Sequence, residues 1–145
     1  MDKRTYLAAA KALEKARDIM NDNGRHWIKG QLSGKKNGEV AYCSLGGIDR
    51  ASKRNSKANH LAKILLAEII TGEERPSKRE PYPNQTELTS MYRDRTWAQN
   101  KIWRYNDSPN TRWSGVSTRF KKAAKKARKL AEGKEVLDST KANRK

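Results

Sequence analysis

A mainly α fold, a compact bundle of about four helices with a short β-hairpin near residues 27–45, is what the sequence predicts. Three observations predict it. Apolar residues recur at helical spacing in four long stretches, glycine and proline fall between those stretches, and a glycine-punctuated segment follows the first of them. A chain of 145 residues has room for one ordinary domain. Residues 1–133 read as that single helical domain, and 134–145 as a polar, flexible C-terminal tail.

The first helix is expected from Thr5 to about Met20, where Tyr6, Ala9, Ala10, Leu13, Ala16 and Met20 share a face and Asn21-Asp22-Asn23-Gly24 supplies the stop. Between Trp27 and Leu45, Gly30, Gly34 and Gly38 break any helix. Trp27-Ile28, Leu32 and Val40-Ala41-Tyr42-Cys43 flank the turn-like Lys35-Lys36-Asn37-Gly38, which is hairpin patterning. Gly46-Gly47 permits a tight corner into a short helical turn at Ile48-Asp49-Arg50-Ala51.

Ser56 then starts the clearest helix, in which Ala58, Leu61, Ala62, Leu65, Leu66, Ile69 and Ile70 cover a wide arc up to Gly72. So broad an arc marks residues 56–71 as the central scaffold. Residues 73–84 are rich in proline and charge and read as a loop. A third long helix is expected from Thr86 to about Tyr105, with Leu88, Met91, Tyr92, Ala98, Ile102 and Tyr105 on it and Asn106-Asp107-Ser108-Pro109 ending it. Thr111 is placed to cap the last helix, whose stripe is Val116, Phe120, Ala123, Ala124, Ala127 and Leu130. Such a stripe can face its own core or a twofold mate, so the oligomeric state stays open.

Apolar residues make up 34% of the chain, below the usual ~45–50%, so the core should be thin. Four Trp and five Tyr still supply enough apolar surface to argue against global disorder. The longest apolar block, Leu61 to Ile70, contains Lys63 and Glu68 and is too short to span a bilayer, so no membrane partner is expected. The N-terminus lacks the apolar core of a secretion signal. Cys43 is the single cysteine, which excludes an internal disulfide and fits a reducing, cytoplasmic setting.

Charge is the dominant signal: 33 Lys and Arg against 16 Asp and Glu give a net +17. Self-repulsion on that scale destabilises a compact state, and an anionic partner would offset it. Close to half of the surplus lies in residues 119–145. On a helix of 3.6 residues per turn, Lys121, Lys122, Lys125, Lys126, Arg128 and Lys129 fall opposite the alanine stripe and form a cationic face suited to a phosphate backbone. Arg50, Lys53, Arg54 and Lys57 form a second cluster at the entry to the central helix. Lysine outnumbers arginine on the C-terminal face, which favours point-charge contact with phosphate over bidentate reading of bases.

Catalytic and metal chemistry find little support. His26 and His60 are far apart in sequence and, with Cys43, make too few soft ligands for a metal site. Cys43-Ser44 lacks the local signature of a nucleophilic site and reads as a buried thiol. No enzyme activity, cofactor or metal is expected. Trp27, Trp97, Trp103, Tyr105 and Trp113 recur beside apolar residues and read as packing more readily than as base-stacking platforms.

Trp27 with Gly30, Tyr42-Cys43-Ser44-Leu45-Gly46-Gly47-Ile48 with Ala51, and Trp103 leading into Asn106-Asp107-Ser108-Pro109 and Val116/Phe120/Ala123-Ala124 form a pattern over roughly residues 7–125. It resembles a small family of unknown function found in actinobacteria and their bacteriophages. In that family a Trp-and-Gly segment follows the N-terminal helix, a Cys-x-x-Gly-Ala-like corner comes next, and a Trp-Asn-Asp-x-Pro-like turn opens the last helix. Here Arg104 and Tyr105 separate Trp103 from Asn106, and Gly47 stands where alanine is frequent. The resemblance implies no activity and no catalytic residues; it implies an actinobacterial or phage-infected cytoplasm.

The expected function is therefore that of a basic DNA-binding protein, encoded by a phage or an actinobacterium. It would contact the phosphates of double-stranded DNA with little sequence specificity and be nucleoid-associated. The alternative is a host-interaction protein that binds and inhibits an acidic bacterial target. RNA binding is a third reading.

Overall fold

The computed structural model describes residues 1–21 and 23–133, and the backbone of the last helix as far as Asn143. The side chains of the tail expected at 134–145 lie outside the described residues. Helix α1 spans Lys3–Met20 and begins where the Asp2 carboxylate accepts the Thr5 N–H at 2.9 Å, a side-chain N-cap. It buries Ala9, Ala10, Ala12, Leu13, Ala16 and Met20, the face the spacing predicts.

Strands β1 (Ser33–Lys36) and β2 (Glu39–Tyr42) form the expected antiparallel hairpin, with Lys36 opposite Glu39 and Ser33 opposite Tyr42. The turn needs two residues at positive φ, and Asn37 at 52° with Gly38 at 80° supply them. Tyr42 also joins the preceding segment, donating its N–H to His26 and accepting from Ile28.

Helix α2 runs Ser44–Ala51, longer than the expected turn, because the Cys43 Sγ accepts the Gly46 N–H and starts the helix four residues early. Gly46 and Gly47 therefore lie inside a helix and form no corner. A Cβ on Gly46 would stand 1.9 Å from the Leu32 carbonyl oxygen, and one on Gly47 would stand 3.0 Å from the Met20 thioether. These glycines serve close packing.

Helix α3, Ser56–Thr71, is capped by the Asn55 side chain on Ala58 N–H and ends at Gly72 in the left-handed conformation. It packs against α1 and α2 and against the two later long helices, the central position its wide arc predicts. A single turn, α4 (Pro76–Arg79), interrupts the expected loop, and Ser77 ties it to the buried Asp94 carboxylate.

Helix α5, Glu87–Asp107, opens with a reciprocal Thr86/Thr89 capping box. It does not stop at Asn106; it runs through Asn106 and Asp107 and buries Met91, Asp94, Ala98, Ile102 and Asn106. Leu88 and Tyr92, expected on the apolar face, are exposed at 62% and 47%. The true inward row contains two polar residues, which an apolar count passes over. Helix α6 spans Trp113–Asn143. Its first turn closes on the Arg112 carbonyl, which puts the cap one residue beyond Thr111. Ala131 takes the place expected for Leu130 on a stripe that otherwise matches: Val116, Phe120, Ala123, Ala124 and Ala127 are buried. The most extensive pairing is α1 with α6, and both bring alanines to the core, which lets the backbones approach closely. No helix among the described residues is long and apolar enough to cross a membrane.

Candidate nucleic-acid interface

The residues of the sequence pattern converge on Asn106, which is fully buried. Its Oδ1 accepts from Trp27 Nε1 at 2.7 Å, Ser44 N at 3.0 Å and Ser44 Oγ at 2.7 Å. Its Nδ2 donates to the Ile28 carbonyl and the Asp107 carboxylate, and that carboxylate also accepts the Gly30 N–H. The node locks the Trp27–Gly30 segment and the start of α2 onto the end of α5. A buried amide is costly unless both its ends are bonded, and here both are. Cys43 beside it is buried, and burial pushes its thiol pKa above the usual value, so it is held as a neutral cap.

The chemistry open to solvent lies elsewhere, on the cations. Along α6, Lys121, Lys122, Lys125 and Lys129 are exposed and no ion pair engages them among the described residues. The other two residues of the predicted face are held by acids. Arg128 donates through Nε and an Nη to the two Glu14 oxygens at 3.0 and 2.6 Å, and this hydrogen-bonded pairing lowers the Glu14 pKa and raises that of Arg128. Lys126 approaches the Glu68 carboxylate at 3.3 Å. Burial alone would push the Glu68 carboxyl up, but the Arg75 hydrogen bonds and charge, together with Lys126, leave it below its usual range. Lys126 and Arg128 thus fasten α6 to α3 and α1.

Arg50, Lys53, Arg54 and Lys57 are all exposed at the corner between α2 and α3. The corner is rigid: Ser52 Oγ donates to the Ile48 carbonyl and accepts from Asn59, whose amide also reaches Asp49. Asp49 in turn pairs at 2.8 Å with the buried Lys63.

Helix α1 lies between the two clusters. Glu14, Arg17 and Asp18 line a groove of about 780 Å³ with Lys121, Lys125, Arg128 and Lys129, while Lys15 and Ile19 line another with Arg50, Lys53 and Arg54. The clusters therefore flank one helix. On its solvent side Arg4, Lys11 and Lys15 are exposed, spaced seven and four residues apart on one helical face. Sequence reasoning misses this stripe, although its spacing is visible, because the apolar face of α1 dominates its pattern.

The aromatics divide cleanly. Trp27 is buried, and Trp97, Tyr105 and Trp113 pack on the core; the Trp27 and Trp113 ring centroids are 6.1 Å apart. Trp103, Tyr92 and Tyr82 are exposed, on α5 and the segment before it. Helix α5 packs mainly on α3, and its C-terminal end reaches α6, where Arg119 stands over the Tyr105 ring at 4.6 Å. His26 faces Glu39, and His60 faces Arg95 and Tyr92.

Over residues 4–126 the chain matches the model of a family described as a family of unknown function, DUF6197. No curated protein and no solved structure matches the chain.

Proposed function

We propose that this chain, which belongs to the DUF6197 family, is a non-enzymatic DNA-binding protein that contacts backbone phosphates with little sequence preference. The observation that carries the reading is the flanking of α1 by two exposed basic clusters, one on α6 and one at the α2–α3 corner. Lysines at i and i+4, as in Lys121/Lys125 and Lys125/Lys129, repel one another by a few tenths of a kcal/mol per pair. Bound phosphates remove that cost, and release of their counterions drives association. Trp27, Trp97, Tyr105 and Trp113 are committed to the core and do not offer free stacking platforms, which favours a duplex over unpaired bases as the ligand. The proposed setting is the cytoplasm of an actinobacterium or of a phage-infected cell, with the protein on the nucleoid.

The test is a gel shift on duplex DNA across a salt series, with the Lys121→Gln/Lys122→Gln/Lys125→Gln/Lys129→Gln variant beside the parent. Log affinity should fall linearly with log salt, and the variant should reduce the slope by up to ~3.6, at ~0.9 for each phosphate that is no longer neutralised. No shift at ~50 mM salt would sink the reading.

The second reading, a host-interaction protein that inhibits an acidic target, is favoured by one observation: Leu88, Tyr92 and Trp103 are exposed on α5. Large rings of this kind serve as interface anchors. Capture of an acidic protein that survives nuclease treatment and is abolished in Trp103→Ala would support it.

A further inference from the structure

The two clusters and the α1 stripe have a spatial relation that bears on what kind of nucleic acid fits. Packed helices stand roughly 8–10 Å apart, so the path from the α6 lysines across α1 to the α2–α3 corner covers ~16–20 Å. One phosphodiester strand is too narrow to meet both rows at once. Two strands facing each other across a groove about 12 Å wide are not. Lys15 lies between the rows, Lys11 stands one turn before it, and the exposed Asp18 shares their face of α1.

Resting on the phosphate-binding reading above, we infer that α1 is the floor of one continuous footprint that grips both strands of a double helix. The α6 lysines face one backbone, Lys53 and Arg54 face the other, and Lys11 and Lys15 lie along the groove between them. Glu14 does not oppose this, because Arg128 already holds its charge. Both clusters meet α1 along its Glu14–Ile19 stretch, so the footprint is centred there, and the exposed Asp18 within it repels phosphate locally. With 18 residues in α1 and a rise of 1.5 Å each, the floor is ~27 Å long, or about 8 base pairs at 3.4 Å per pair.

The experiment is fluorescence anisotropy with DNA duplexes from about 4 to about 20 base pairs, an RNA duplex of about 20 base pairs and a single DNA strand of about 20 nucleotides, read as a function of salt. The proteins are the parent, the α6 variant described above, and the double variants Lys11→Gln/Lys15→Gln and Lys53→Gln/Arg54→Gln. All of these positions are exposed, so the fold should be unchanged by circular dichroism. Affinity should climb steeply up to about 8 base pairs and then only as the number of overlapping sites, with single strands at least ~10-fold weaker. Each double variant should lower the duplex salt slope by about 2. If Lys11→Gln/Lys15→Gln leaves the slope unchanged while the α6 variant lowers it, α1 lies outside the footprint and this inference falls, but the phosphate reading stands. Equal affinity for single strands overturns the two-strand grip, and preference for an RNA duplex overturns DNA as the occupant. Failure of the parent to bind any nucleic acid removes both readings together.

Discussion

The Asn106 node and the basic face of α1 and α6 use polar side chains in opposite ways. At the node one amide makes five hydrogen bonds to neighbours fixed by the fold, and nothing is left for a ligand. On the basic face, Lys121, Lys122, Lys125 and Lys129 stand in rows with no ion-pair partner among the described residues, an arrangement that costs stability. The difference separates what the fold requires from what it merely tolerates. Residues of the node follow from the need to satisfy buried polar groups, whereas repelling lysines do not follow from folding at all.

Removal of the node should cost the fold far more than it costs binding. Asn106→Leu leaves the Trp27 and Ser44 N–H groups and the Ile28 carbonyl without their partner in a buried site. The expected loss is about 3–5 kcal/mol, read by urea unfolding. The salt slope of DNA binding by the remaining folded fraction should stay at the parent value. A changed slope with unchanged stability would mean that the node contacts the ligand.

Gly46→Ala should follow at about 2–3 kcal/mol, because the added methyl meets the Leu32 backbone carbonyl, which has no rotamer to turn away. Stability within ~0.5 kcal/mol of the parent would show that the close approach to Leu32 is not what requires glycine at this position.

These two positions also mark how far the sequence is legible. Helical periodicity locates α1, α3 and α6 because apolar residues dominate their inward rows, even in α3 where Lys63 and Glu68 are also buried, and Asn37-Gly38 locates the hairpin because only such residues adopt that turn readily. The inward row of α5 escapes the same reasoning because Asp94 and Asn106 occupy it. The satisfaction of a buried amide depends on residues some 62 to 79 positions away, which no local pattern carries. The cationic residues of the candidate site are legible as composition. Which of them are fastened to Glu14 and Glu68 is not, since those partners come from α1 and α3.

Glu68→Gln tests the buried fastening. The carboxylate touches Arg75 and Lys126 and its pKa is lowered from the ordinary 4.5. A carboxyl with a depressed folded pKa stabilises above its unfolded value, and that stabilisation disappears as pH falls through the folded one. The variant should lose about 1–3 kcal/mol at neutral pH. Its stability should also fall less than the parent's below pH 4.5. Parallel pH curves for the two proteins would show that Glu68 does not carry the acid response.

Within the basic face, fastened and unfastened cations should differ. Lys121→Gln/Lys125→Gln removes two unpaired charges and should lower the salt slope by about 2 with stability within ~0.5 kcal/mol of the parent. Lys126→Gln/Arg128→Gln should lower the slope by less than about 1, and the variant should lose some resistance to urea. Equal slopes for the two pairs would erase the distinction between phosphate binding and fastening.

The smallest effect is expected at His60, which belongs to neither region and borders both the α2–α3 corner and the exposed face of α5. Burial, then the Arg95 and Lys63 charges, lower its pKa from 6.5, with Asp49 opposing them. The folded state therefore binds this proton less readily than the unfolded chain. Stability tied to the neutral ring is intact above 6.5 and declines as pH falls through the lowered value. His60→Gln should flatten the acid side of a melting-temperature profile just below pH 6.5 and leave the region above it unchanged. The salt slope should not move, because burial and then the neighbouring cations disfavour the charged ring, which would otherwise bring charge to phosphate. A slope that steepens with acid in the parent but not in His60→Gln would instead make His60 a protonated member of the footprint, and would extend the basic face toward α5.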